Sequence, residues 1–235
     1  MSRTLPIICL WFLVSGFWTL SPAQAGERTC RILFLGAPAD APRSLQLFDG
    51  TSAQPVELPR MNFSPVYELA SGDITLRLLE KAPEKPEDIP AGAPKAVIRE
   101  GVSDFYLLVS TDTENKTVPV SMQIIDADST GFRKGQLLWF NLTPNRIGGK
   151  LGSEKLALEP NSKEITSAPA TGSEDYPVDI YYQLPGKEEV WPLCETKWLH
   201  NPAARIVMFI LPEAGNRVPR IMGFTDFREE KTKEE

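Results

Sequence analysis

Between residues 118 and 160 apolar and polar positions alternate more regularly than elsewhere in the chain. Val118, Val120, Met122 and Ile124 alternate with Pro119, Ser121 and Gln123, the period of two that sends successive side chains to opposite faces of a strand. After a polar turn at 126–131, Leu138, Phe140 and Leu142 point one way while Leu137, Trp139 and Asn141 point the other. Thr143-Pro144-Asn145 ends this run, because proline cannot donate a ladder hydrogen bond. Residues 147–151 and 156–158 read as two short strands joined at Gly152-Ser153. A meander with one face to bury predicts that the remaining chain supplies the strands that cover it.

The flanking sequence meets that expectation. Upstream, residues 31–35, 45–48, 56–58, 66–69 and 74–78 are short apolar or alternating segments, punctuated by Asp49-Gly50 and Ser71-Gly72-Asp73. Strands this short, with turns every eight to twelve residues, point to a sandwich or barrel. Residues 81–96 carry Pro83, Pro86, Pro90 and Pro94, which exclude a central strand or helix interior and predict an exposed loop. Strands at 96–99 and 105–110 then complete the first sheet pair, and the polar stretch 111–116 predicts a domain boundary. Downstream, Val178, Ile180 and Tyr182 alternate, and 189–199 reads as a strand interrupted by Pro192. Residues 205–211 form a continuous apolar run, the most buried strand of the second half, and 221–227 closes the fold. Sustained i, i+3, i+4, i+7 apolar spacing is missing. The expectation is an all-β chain of two tandem β-sandwich (immunoglobulin-like) units of antiparallel strands, at residues 26–112 and 117–227.

The first 25 residues change the picture of where these sandwiches work. Arg3 is the only charge before Glu27, residues 5–20 are almost wholly apolar, and Ala23-Gln24-Ala25 supplies a small-x-small cleavage pattern. That is the layout of a secretory leader, with a membrane anchor or a lipoprotein cut at Cys30 as the alternatives. Export to the periplasm or cell surface is the expectation, with the mature chain starting at Gly26. Without Arg3 the charged side chains number 24 basic against 31 acidic, a net charge of −7. This balance argues against nucleic acid and against an anionic membrane surface. Residues 228–235 are expected to be a disordered charged tail.

Cys9 leaves with the leader, so Cys30 and Cys194 remain as an even pair in an oxidising compartment. A disulfide closing so long a loop is worth about 4–5 kcal/mol; two buried thiols, or Cys30 bonded to a partner chain, are the alternatives. A Cys–His zinc site is short of ligands, since His200 is the sole histidine. The residues expect no cofactor and no metal.

Residues 31–110 resemble a domain of unknown function found, often in copies, in secreted bacterial proteins. The likeness rests on Ala37-Pro38-Ala39-Asp40-Ala41-Pro42 after a first strand, and on Leu45-Gln46-Leu47-Phe48-Asp49-Gly50. Tyr67, Leu69 and Gly72 before the alternating Ile74-Thr75-Leu76-Arg77-Leu78, and the late strand Phe105-Tyr106-Leu107-Leu108-Val109, carry it further. An inserted alanine, a shortened Tyr–Leu step and the proline-rich loop depart from the family pattern. The resemblance implies an exported immunoglobulin-like sandwich, and it implies no catalytic residues.

Candidate chemistry is sparse. Asp126-Ala127-Asp128-Ser129-Thr130-Gly131 starts like a calcium loop, but Thr130 and Leu137 stand at positions five and twelve, where ligands belong. His200 is a lone histidine with no Gly-x-Ser-x-Gly elbow elsewhere. Glu80, Glu84, Glu87 and Asp88 lie in a charge-rich loop and read as solvated surface. Asn62, Asn115 and Asn141 match a glycosylation acceptor pattern. Trp139, Tyr181, Tyr182, Trp191 and Trp198 gather in the second half, and Trp191, Trp198 and Tyr182 are the candidate ligand-binding side chains if they face outward. The sequence therefore favours a non-enzymatic exported protein acting in protein binding or envelope architecture, its partner another envelope protein. A carbohydrate-binding module that takes a glycan on the second-half aromatics is the first alternative, and an envelope hydrolase with an acidic pair is the second.

Overall fold

The computed structural model describes residues 28–127, 131–213, 215 and 217–227. The leader, the charged tail and the middle of the calcium-like turn (128–130) lie outside the described residues. The first half contains β1 (Arg28–Phe34), β2 (Ser44–Phe48), β3 (Ala53–Glu57), β4 (Tyr67–Leu69), β5 (Ile74–Leu79), β6 (Lys95–Ile98), β7 (Asp104–Thr111) and β8 (Val120–Asp126). The second contains β9 (Leu137–Asn141), β10 (Arg146–Leu151), β11 (Glu154–Leu158), β12 (Lys163–Thr166), β13 (Asp175–Gln183), β14 (Val190–Leu199), β15 (Arg205–Leu211) and β16 (Arg220–Asp226). One 3-10 turn, Pro86–Asp88, lies in the proline-rich loop between β5 and β6. No helix among the described residues is long and apolar enough to cross a membrane.

The chain is all-β and forms two β-sandwiches of one topology. The first pairs a sheet of order β4-β1-β7-β8 with one of order β3-β2-β5-β6; the second pairs β12-β9-β15-β16 with β11-β10-β13-β14. Adding eight to each strand number of the first half gives the second. The ladders are antiparallel except for one parallel pair at the centre of one sheet in each half, β1 with β7 and β9 with β15.

Three apolar layers show how these sheets stack. Cys30, Ile32 and Phe34 on β1 and Phe105, Leu107 and Val109 on β7 pack against Leu45, Leu47, Leu76 and Leu78 of the facing sheet. Leu137, Trp139, Met208 and Ile210 pack likewise against Ile147, Val178, Ile180 and Tyr182. The alternate residues of the same inner strands meet each other: Leu33, Tyr106 and Leu108 from the first half join Leu138, Phe140, Val207, Phe209 and Phe224 from the second. The order of layers is thus outer sheet, inner sheet, inner sheet, outer sheet. The inner strands are covered on both faces, which is where parallel pairs are found and why β7, β9 and β15 read as near-continuous apolar runs. All five residues of β9 are buried.

This stacking corrects two sequence expectations. The regular stretch 118–160 is not one meander: β8 belongs to the first inner sheet, β9 to the second, and β10 with β11 to an outer sheet. The boundary expected at 111–116 is a hairpin turn, because Thr111 pairs with Val120 and the ladder runs on to Phe105 with Asp126. Val118 and Val120 fill the first core, so the first sandwich ends at β8 and the second starts at β9. A short polar link and a hairpin turn have the same composition, and the period of two in β8 carries no information about its neighbour.

Phe209 stacks on Phe140 at 5.3 Å between ring centres and meets Phe224 edge-on at 5.8 Å. Phe209→Ala is expected to cost about 3–5 kcal/mol in urea denaturation. A loss below about 1 kcal/mol would mean that the two halves are loosely packed.

Candidate functional site

The charged side chains that the fold gathers most tightly lie where β7 and β15 begin and β8 and β16 finish, at one end of the layer between the halves. Arg205 opens β15 and is 2% exposed. Its Nη1 donates to the backbone carbonyls of Ala127 (2.8 Å) and Phe132 (3.2 Å). Its Nη2 donates to Asp226 Oδ2 at 3.0 Å and Asp104 Oδ2 at 3.3 Å. Asp226, also buried, accepts Arg31 Nη1 on its other oxygen and the Tyr106 hydroxyl on Oδ2. Phe63 and Phe132 lie beneath the Arg31 and Arg205 guanidiniums at 5.6 and 5.3 Å, a desolvated setting in which cation–π attraction is strong. Burial, then the neighbouring Asp226 carboxylate, pushes the Tyr106 phenol far above its ordinary value, so it stays protonated and donates. Both Asp226 oxygens are occupied by donors from the chain itself. The cluster joins β1 and β7 of one half to β15 and β16 of the other: it latches the sandwiches together.

His200 is a second buried polar group. It is 2% exposed, with Nδ1 2.9 Å from the Gly172 carbonyl and Nε2 3.1 Å from the Gly135 carbonyl. A general base needs one ring nitrogen open to substrate, and here both face backbone oxygens. The ring pins the loop before β9 to the loop before β13. Asn141 is fully buried; its amide donates to the carbonyls of Asn145 (2.7 Å) and Glu159 (2.9 Å), so this acceptor pattern serves a turn. Arg28 donates to the carbonyls of Val102, Ala70 and Arg99, and burial lowers its pKa.

The predicted ligand-binding aromatics all belong to the inner side of the second outer sheet. Tyr182 is 5% exposed in the core; Trp191 packs on it at 5.9 Å. Trp198 stacks on buried Trp139 at 6.3 Å and meets Tyr176 edge-on. Trp191 and Trp198 remain partly uncovered only because β14 is the edge of its sheet. The aromatic that does face outward is Tyr181, whose ring lies across Gly148, where a Cβ would come within 2.6 Å of it. Burial raises the Tyr176 pKa to about 12.

The expected disulfide does not form. Cys30 points into the first core, whereas Cys194 sits on β14 at the far outer sheet of the other half. The interface layer lies between them, beyond the reach of an S–S bond. Burial raises the Cys194 pKa, which keeps it a thiol. Glu80, Glu84, Glu87 and Asp88 are exposed, and among the described residues no three His, Cys, Asp or Glu side chains cluster to hold a metal ion.

The latch is the feature that reading the sequence missed. Its signal was present: Arg31 and Arg205 adjoin apolar runs, and Asp226 stands between Phe224 and Phe227. Opposite charges set into apolar strands need each other once those strands are buried. Comparison with known proteins adds no family: no protein-family model and no curated protein sequence matches the chain.

Asp226→Ala leaves the buried Arg205 and the partly buried Arg31 guanidiniums without their shared carboxylate and is expected to cost about 3–5 kcal/mol at neutral pH, whereas replacing Arg31, Arg205 and Asp226 together by apolar residues costs less. Urea denaturation distinguishes them, and equal losses would contradict a charge-balanced latch. The β2–β3 turn contributes a pH dependence on the acid side. Burial opposes ionisation of Asp49, but the Ser52 and Thr51 N–H groups and the Thr51 hydroxyl outweigh it and hold its pKa below the usual value. A lowered folded pKa contributes stability that is present above the unfolded value of about 3.9 and lost as pH falls further. Asp49→Ala is therefore expected to lower stability at pH 7 by about 1–2 kcal/mol and to reduce its acid dependence below about pH 4. An unchanged acid limb would exclude this carboxylate.

Proposed function

We propose that the chain is an exported, non-enzymatic protein of the periplasm or cell surface that acts by binding another protein, or as a rigid part of envelope architecture. One observation carries the reading. β14, ten residues long, lies at the free edge of the outer sheet of the second sandwich, with Val190 and Leu199 56% and 63% exposed. An open strand edge offers unpaired N–H and C=O groups to an extended partner without further chemistry. The two sandwiches behind it are clamped into one body, which holds that edge in a fixed orientation. The leader pattern at residues 1–25 and the likeness of residues 31–110 to domains of secreted bacterial proteins support export. The acidic balance, −7 without the leader, supports a protein partner over nucleic acid. Binding of glycans by stacking is less favoured, because Tyr182, Trp191 and Trp198 turn toward the core.

A photo-crosslinking residue at position 199, with one at Lys155 on the opposite edge strand as control, tests this in the producing cells. Protein adducts specific to position 199, in the exported fraction, are the expected result. Retention of the protein in the cytoplasm, or glycan-dependent quenching of tryptophan fluorescence with no protein adduct, would overturn it.

A further inference from the structure

The open edge has a charge pattern that selects its own copy. Along β14, Asp175 faces Leu199, Asp179 faces Glu195 and Pro177 faces Lys197 across the β13–β14 ladder. These positions all point outward and are exposed, whereas Cys194 and Trp198 point inward opposite Ile180 and Tyr176. Two antiparallel copies of one strand meet about a two-fold axis at a single residue, and that residue fixes every facing pair. With the axis at Thr196, Glu195 of each copy faces Lys197 of the other, twice over, and Cys194 faces Trp198. An axis at Glu195 sets glutamate against glutamate, and one at Lys197 sets lysine against lysine; like charges directly opposite are destabilising. Beyond Cys194 the regular register stops, because Ile180 pairs with Cys194 and Tyr181 with Pro192, which leaves Leu193 as a bulge, and Pro192 has no N–H to donate. The regular ladder therefore covers five residues of each copy, 194–198. An edge lysine normally guards a strand against pairing, but a glutamate two residues away turns that guard into a selector of register.

We propose that two copies of this chain associate through β14, antiparallel about Thr196, to form a continuous eight-stranded sheet from their two outer sheets. This rests on the reading of β14 as a binding edge and names its occupant as a second copy. It places the half-covered Trp198 and Cys194 of each copy beside each other's backbone and covers the open side of the second sandwich. At the matching edge of the first sandwich β6 closes onto β8, whereas β14 has no comparable contact with β16.

Sedimentation equilibrium of the full protein at low salt reads the outcome. The expected mass is that of two chains. Lys197→Glu and Glu195→Lys each place like charges face to face at exposed positions that folding does not need, and each is expected to weaken association about tenfold or more. An equimolar mixture of the two variants restores every opposite pair and is expected to recover the two-chain mass, as is the double variant E195K/K197E. A wild-type chain that sediments singly at every concentration, or single variants that keep the two-chain mass, would overturn the proposal. Crosslinks from position 199 to a different protein, with a singly sedimenting chain, would overturn the second copy while leaving the binding edge intact.

Discussion

The structure depends on one constraint: the two inner sheets must bury their second faces against each other. Each sandwich already fills a core between its own two sheets, yet β1, β7, β9 and β15 carry apolar side chains on both faces. Left to water, Leu33, Leu108, Phe140, Phe209 and their neighbours would expose a broad apolar patch, of the kind soluble monomers rarely present. Packing the halves inner sheet to inner sheet removes it. The same burial accounts for the parallel central pairs, since a parallel pair tolerates two covered faces. Domain pairs joined by small polar contacts move freely, whereas an aromatic layer such as Phe140–Phe209–Phe224 holds its geometry.

The latch of Arg31, Arg205, Asp226, Asp104 and Tyr106 is subordinate to that layer in energy and complementary to it in specificity. Charges taken out of water are costly, and their mutual attraction offsets that cost only when nearly every donor and acceptor is used. Asp226 takes donors on both oxygens from both halves. Apolar faces slide with little penalty; a buried carboxylate between two guanidiniums does not. One register of the two sandwiches is thereby fixed, and with it the orientation of β14 at the outer edge.

How much of this the sequence disclosed follows from what each signal encodes. Alternation and turn residues located most strands, including β10 and β11 about Gly152-Ser153, because those signals are local. The run at 205–211 announced a deeply buried strand, and β15 is one. Partnership is not local: nothing in Val120–Asp126 says that it pairs backward with β7 and not forward with β9. The aromatic cluster was legible as a cluster, but whether Trp198 faces solvent or Trp139 depends on the bulge between Ile180 and Tyr181 that resets the β14 register. Cys30 and Cys194 were an even pair by count alone, and the layer order separates them. Arg205 and Asp226 are 21 residues apart in sequence, and only their setting among apolar neighbours marked them for each other.

In this all-β body the most tightly gathered charged groups hold two sandwiches together, and the surface-binding reading proposed above builds on that. That view needs the halves to act as one unit. Differential scanning calorimetry tests this most directly. If the inner sheets share one core, unfolding gives a single transition whose calorimetric and van't Hoff enthalpies agree, a ratio of about one per cooperative unit. Two separable transitions, or a calorimetric enthalpy about twice the van't Hoff value, would show the sandwiches unfolding independently and would contradict it.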